Sequence, residues 1–357
     1  MAILRYTASA DNTITNAYEA NLVTRGSGSN MGYADSLEVF SIYGQESGST
    51  GQSQELSRIL IEFPVSKVST DRTAGTIPAS GSVSFFLKMS NAEHPFTLPQ
   101  DFNLVVAPVS RSWSEGTGLD MDEYKDLGVS NWIKSDSSTS WTDVGGDYRT
   151  ASNYNVSFPQ GYENLEVDVS DVVEKWISGA DPAFANNYGF GIRLTASQEA
   201  YFSSSTGADV GPVIQNTVGA TQSYYTKKFF ARSSEFFFKR PVLEARWDSR
   251  VQDDRENFYF SSSRAPAEFN LNSLYFYNYV RGGLRNLPSV GTGDLSVSFY
   301  SSSFGTPTGS AIALSAGGST VSAGDTNATA SYVSAGIYSC DVALTAASTP
   351  LQEIHDV

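Results

Sequence analysis

One cysteine and two histidines are all that 357 residues supply of those types, and the shortage removes whole classes of chemistry. A lone Cys340 excludes an intrachain disulfide framework and a cysteine-built zinc site. His94 and His355 stand far apart in sequence, so neither a nitrogen-ligand metal centre nor a histidine-based triad is expected. Charge is scarce too, at 17% of residues, and Lys and Arg number 23 against 38 Asp and Glu. The resulting net charge of −15 argues against gripping a phosphate backbone, which needs an excess of basic side chains. Nucleic acid is therefore not an expected partner, and the acidity is read as a device that keeps copies apart. No segment approaches the ~20 consecutive apolar residues of a membrane helix, so no membrane partner is expected. A P-loop and a Gly-rich strand-to-helix turn are both missing, which argues against a nucleotide site. The chain is read as no enzyme, with no catalytic residue, no cofactor and no metal.

A secretion signal is missing as well. Such a signal has a basic start, an apolar run of about 7–15 residues and a small-residue cleavage site. Here Met1-Ala2-Ile3-Leu4-Arg5-Tyr6 leads straight into the polar Thr7-Ala8-Ser9-Ala10-Asp11. The rest has the texture of an exported surface protein, so either a signal has been removed or the protein reaches the outside by another route. Virion proteins do so by folding in a host cytoplasm and leaving on lysis, and a virion location is the expectation.

What the chain does hold is aromatic bulk and alternation. With 21 Phe, 19 Tyr and 5 Trp there is enough burial for two cores. Ile59, Ile61 and Phe63 alternate with Arg58 and Glu62, and Val83, Phe85, Leu87 and Met89 with Ser82, Ser84 and Lys88. Further rows are Phe102-Leu104-Val106, Leu165-Val167-Val169, Phe190-Ile192-Leu194 and Leu243-Ala245-Trp247. Period two of this kind marks antiparallel strands buried on one face, as in a sandwich. One segment departs: Val169, Val172, Val173, Trp176 and Ile177 form a helical stripe, capped by Asp168 or Ser170 and closed by Gly179 and Pro182. A single short helix is expected to pack on the sandwich, with Trp176 in the core.

Residues 248–266 shift to the charged run Arg250 to Glu256 and then to Ser261-Ser262-Ser263, which reads as a linker. A second alternating block follows at Leu274 and Phe276, Leu295-Val297-Phe299, Ile312 and Leu314, and Tyr338-Cys340-Val342-Leu344. The expected organisation is thus 1–247, linker 248–266 and a smaller sandwich over 267–357. Leu351 to Val357 begins a last strand, which a longer gene product or a neighbouring subunit would complete. Long polar insertions at 44–53, 114–147 and 196–223 are read as surface decoration and as the first place to look for partner contacts.

Three resemblances add to this reading. Ala10 to Ile14, Asn30 to Val39, Ser57 to Phe63 and Trp113 to Gly116 come in one order with Val167-Asp168-Val169 leading to Trp176. Tyr188 to Ile192 and Arg240 to Glu244 follow, and the ordered set resembles the DNRLRE-type jelly-roll modules over about residues 1–247. Gly32 beside Asn30 would supply a tight turn. Ala335-Gly336-Ile337-Tyr338-Ser339-Cys340 is similar to the tyrosine corner of immunoglobulin-like domains, whose hydroxyl bonds back to the turn. No second cysteine exists for the usual bridge, so Cys340 is read as a small buried hydrophobe. Met1 to Leu22, Ser80 to Leu87, Gly118 to Asp122, and Leu274 to Asn278 with Arg281-Gly282-Gly283 resemble structural proteins of marine tailed bacteriophages. The implied fold is all-β, a jelly-roll sandwich followed by an immunoglobulin-like one.

Two features are candidates for chemistry beyond packing. Glu115, Asp120, Asp122 and Glu123 share one loop, read as a solvated acidic loop ahead of a calcium site or a catalytic carboxylate pair. Tyr224-Tyr225, Phe229-Phe230 and Phe236-Phe237-Phe238 place rings on both faces of their strands, suited to a neighbouring domain or subunit ahead of a stacked sugar. The expected function is a structural virion component, on head, neck or tail, acting through multivalent contacts with other virion proteins and its own copies. The alternative is a carbohydrate-binding adhesin or host-recognition module whose partner is a surface glycan.

Overall fold

The computed structural model describes residues 2–44, 54–93, 99–203, 212–248, 253–303, 306–315, 322–345 and 353–356. Strands dominate and pair antiparallel throughout the named sheets, so the chain is an all-β protein. It divides into two compact units, Met1–Asp248 and Ser249–Val357.

The first unit begins with β1 (Ala2–Thr7), β2 (Ala10–Thr15), β3 (Ser36–Tyr43), β4 (Gln54–Glu62), α1 (Val65–Thr73), β5 (Val83–Met89) and β6 (Phe102–Pro108). It continues through β7 (Tyr154–Phe158), β8 (Leu165–Asp168), α2 (Ser170–Ser178), β9 (Phe190–Leu194), β10 (Tyr224–Phe230) and β11 (Val242–Trp247). One sheet runs β1-β11-β5-β8; the other runs β10-β3-β4-β9-β6-β7, with β2 also paired to β4. The alternating rows read from sequence face inward between these sheets. Ile59, Ile61, Val83, Phe85, Leu87, Met89, Leu104, Val106, Phe190, Ile192, Leu243 and Ala245 all belong to one buried cluster. Burying a side chain of this size contributes about 1.5–3 kcal/mol, which is why the period dictates the layer.

Helix α2 lies where the Val/Trp stripe places it, with Val172, Val173 and Trp176 buried and the Trp176 ring 4.9 Å from that of Phe190. Gly179 stops it in the left-handed conformation at φ 61, and its N–H donates to the Lys175 carbonyl. The start differs from the expected cap. Asp168 Oδ1 accepts from the Ser170 N–H at 2.9 Å, while the Ser170 hydroxyl accepts from the Phe85 N–H at 2.7 Å and so ties the helix to β5.

The expectation of one helix is corrected by α1. Only Val65 and Val68 of that helix are buried, so no apolar stripe announces it. Tertiary contacts hold it: Arg72 makes two bonds to Glu174 of α2, at 2.7 and 2.6 Å.

The second unit holds β12 (Asn272–Tyr277), β13 (Tyr279–Val280), β14 (Gly283–Leu284), β15 (Leu295–Ser303), β16 (Thr306–Thr308), β17 (Asn327–Ser334), β18 (Ile337–Val342) and β19 (Glu353–Asp356). Its sheet path is β12-β18-β17-β15-β16, with β19 against β15. The first half of β17 pairs with β15 and the second half with β18, so this strand passes from one partner to the other as sandwich corners do. The buried rows are those read from sequence: Leu274, Val297, Phe299, Leu314, Tyr338, Cys340, Val342 and Leu344.

The stretch read as a linker reaches into this unit. The Asp254 carboxylate accepts from Ser273 N–H at 2.7 Å, that of Asp253 from Tyr275 N–H at 2.9 Å, and Ser261 N–H reaches the Leu344 carbonyl at 2.7 Å. Tyr338 also departs from a local corner. Its hydroxyl donates to the Gly291 carbonyl at 2.7 Å and accepts from Leu287 N–H at 3.2 Å, pinning a distant loop instead of its own turn.

Candidate functional site

Every residue of β4 except Glu62 is buried, although a strand at the surface of a sandwich should expose every second side chain. The cover is the insertion read as decoration. Trp132 and Trp141 from it pack with Ile14, Leu56, Leu60, Val109 and Ala200 in a second apolar cluster on the outer face of the larger sheet. Two asparagines knit the insertion down. Asn30 donates to the Glu115 and Ser130 carbonyls, both at 2.7 Å, and accepts from the Gly118 N–H at 3.1 Å. Asn12 donates to the Ser130 hydroxyl at 2.8 Å and accepts from Met31 N–H at 2.9 Å. Gly32 is needed less for a turn than for closeness, since a Cβ there would overlap the Glu115 carbonyl.

Into this covered face points Arg58, read from its alternation as solvated. It is buried instead, with Nε and Nη2 on the two carboxylate oxygens of Glu199 at 2.9 and 2.8 Å and Nη1 on the Gly145 carbonyl at 3.1 Å. Its guanidinium lies 5.3 Å from the Trp132 ring and 5.8 Å from that of Tyr148. Burial is the largest influence and opposes the charge of Arg58, but the Glu199 carboxylate and the Tyr148 oxygen together outweigh it and hold the proton more firmly than usual. Burial in turn raises the Tyr148 phenol, whose hydroxyl donates to Gly145 at 2.7 Å.

The Tyr148 ring approaches β9 closely because residue 191 is glycine, where a Cβ would overlap the ring. On the same strand, beyond Ile192, Arg193 places its guanidinium 5.8 Å from the centre of that ring. These groups line a cleft of about 500 Å³ with Thr150, Ile214 and Asn216. With both oxygens of Glu199 held by Arg58, neither is poised as a general base. The geometry suits holding a ligand.

The candidates named from sequence fall elsewhere. Glu115 leaves the acidic loop and joins Arg232, through bonds of 3.0 and 2.6 Å, and the Asp11 N–H at 2.8 Å. Asp120 accepts from the N–H groups of Asp122 and Glu123 at 3.0 and 2.8 Å, and these bonds hold its carboxyl below the usual range. It acts as a turn cap, and among the described residues no three His, Cys, Asp or Glu side chains gather to hold a metal. His94 lies outside the described residues, and His355 is described only as a residue of β19. Phe229 is core, whereas Phe236, Phe237 and Phe238 are 55%, 61% and 92% exposed. Cys340 is buried.

Sequence reasoning missed Glu199, Tyr148 and Arg193. Arg193 falls on the outward side of the alternating row Phe190-Ile192-Leu194, where a charged residue is ordinary, so nothing local marked it even though its strand has neighbours on both sides. No protein-family model matches the chain, and no curated protein matches it significantly.

Proposed function

We propose that the protein is a non-enzymatic structural component of a tailed-phage virion, acting by adhesion to other virion proteins and to its own copies. The observation that supports this reading is the ridge Phe236-Phe237-Phe238, three consecutive rings of which the last is almost wholly in water. Exposed apolar surface of this extent usually ends up covered by a partner. Local bonds brace the ridge, and such bracing lowers the entropy lost on contact. Lys239 N–H bonds the Phe236 carbonyl at 2.8 Å, Arg240 Nε bonds that of Ser234 at 2.8 Å, and the Phe237 and Phe238 rings meet edge to face at 5.4 Å. One such ridge is a weak contact, and several copies engaging together make a strong one.

The test is antibody labelling of purified phage particles by electron microscopy, with sedimentation of the isolated chain. Ordered labelling and self-association lost in the F236S/F237S/F238S variant are expected. A chain absent from particles and monomeric at every concentration would end this reading.

A second reading, a glycan-binding adhesin, has its own support. Phe237 and Phe238 border a groove of about 450 Å³ together with Arg5, Lys88, Asn164 and Arg240, a ring-plus-polar lining of the kind sugars use. Retardation of the full chain in polysaccharide-loaded gels, abolished by F237A/F238A, would favour it over the virion reading.

A further inference from the structure

Arg58 and Arg193 stand side by side on neighbouring strands. The Ile59 and Ile192 pair fixes the register, and the next outward residues are these two arginines. Like charges at adjacent cross-strand positions repel, and burial worsens the repulsion. Glu199 hydrogen-bonds only one of them, because both of its oxygens are on Arg58, and its charge offsets that of Arg193 only in part.

Arg193 is left with little. Its Nη1 makes one long bond of 3.5 Å to the Leu194 carbonyl next to it, and its Nε is buried without a hydrogen-bond partner. Among the described residues no carboxylate forms an ion pair with it. Asp143, at the rim of the same cleft, pairs with neither arginine. Burial, and then the charge of Arg58, pull the Arg193 proton affinity down, and the Glu199 carboxylate and the Tyr148 oxygen offset this only in part. A half-buried cation whose buried Nε lacks a partner costs stability unless an anion arrives to meet the charge.

We propose that this cleft is a binding site for a small organic carboxylate, with Arg193 as its anchor and the Tyr148 ring as its wall. A guanidinium offers a planar fork that matches a carboxylate in two bonds, and a flat ring beside it suits a planar or cyclic acid. The volume of about 500 Å³ is that of a site for one sugar acid or a similar molecule. Asn216, whose side-chain amide is committed to the Ala196 and Glu199 carbonyls, stiffens the wall opposite. The site stands apart from the Phe236 to Phe238 ridge, so its fate is independent of the virion reading.

The experiment titrates the full chain with glucuronate, acetate, glucose and sulfate, following the isotope-labelled arginine Nε–H resonances and the melting temperature. The Arg193 signal is identified by its loss in Arg193→Gln. Saturable binding of glucuronate and acetate is expected, with a raised melting temperature and at least about tenfold weaker binding of glucose. Arg193→Gln should abolish carboxylate binding while melting no lower than the parent, because it removes an unpaired cation. Arg193→Lys should retain weak binding, having charge without the fork. The proposal is overturned by carboxylate binding that survives Arg193→Gln, by glucose or sulfate binding equal to that of glucuronate, or by an Arg193 resonance that no carboxylate moves.

Discussion

Arg58 and Glu199, 141 positions apart in sequence, meet in a doubly bonded pair under the cover of Trp132 and Tyr148. With both side chains nearly inaccessible to water, neither charge tolerates loss of the other. Glu199→Leu and Arg58→Met are each expected to lose about 3–5 kcal/mol in urea unfolding, whereas the apolar double variant that combines them should recover much of it. A loss below about 1 kcal/mol for either single change would show that water reaches the pair.

The insertion over 114–147 behaves as part of the fold. Trp132 is fully buried, and its indole N–H donates to the Pro212 carbonyl at 2.7 Å. Trp132→Ala is expected to cost about 3–5 kcal/mol and to open the insertion to proteases that leave the parent intact. Rapid cleavage of the parent in this segment would contradict the covered face.

Asp11 makes part of the stability depend on pH. Burial first, and then the Glu115 charge, lift its carboxyl from 3.8 to about 7, against the opposing bond and charge of Arg232. Between those values the folded form holds a proton that the unfolded form has released. Its contribution is therefore favourable at low pH and is lost as pH rises through about 7. Asp11→Asn keeps an acceptor for the Arg232 N–H. The variant should gain on the parent from about pH 4 upward and level off above about 7, read as the difference in urea midpoints. A constant difference across that range would refute the assignment.

Tyr338 offers a probe confined to the second unit. Tyr338→Phe removes the bonds to Gly291 and Leu287 without changing the ring, and leaves a carbonyl and an N–H in need of partners. A loss of about 1–3 kcal/mol is expected in the unfolding of that unit, with the first unit unmoved. Fluorescence separates them, since all five Trp residues precede residue 248.

Much of the fold was legible in the chain. The inward rows of β4, β5, β9 and β11, the stripe of α2 and its Gly179 stop each follow from a local period or a local backbone preference. Helix α1 was not legible, because its polar residues carry no stripe and an ion pair to α2 holds it. Nor was the cleft: alternation assigned Arg58 to the far side of β4 correctly, yet gave no sign that Trp132, Tyr148 and Glu199 would close over it.

By itself the sequence determined that the chain is all-β and which residues of each strand turn toward the sandwich interior, because side-chain direction along a strand repeats every second residue. The tertiary structure alone decided what happens on the outer face. Whether a polar residue there meets water, a buried carboxylate or an open cleft depends on segments from about 70 to 140 positions away, and no local pattern records where they land.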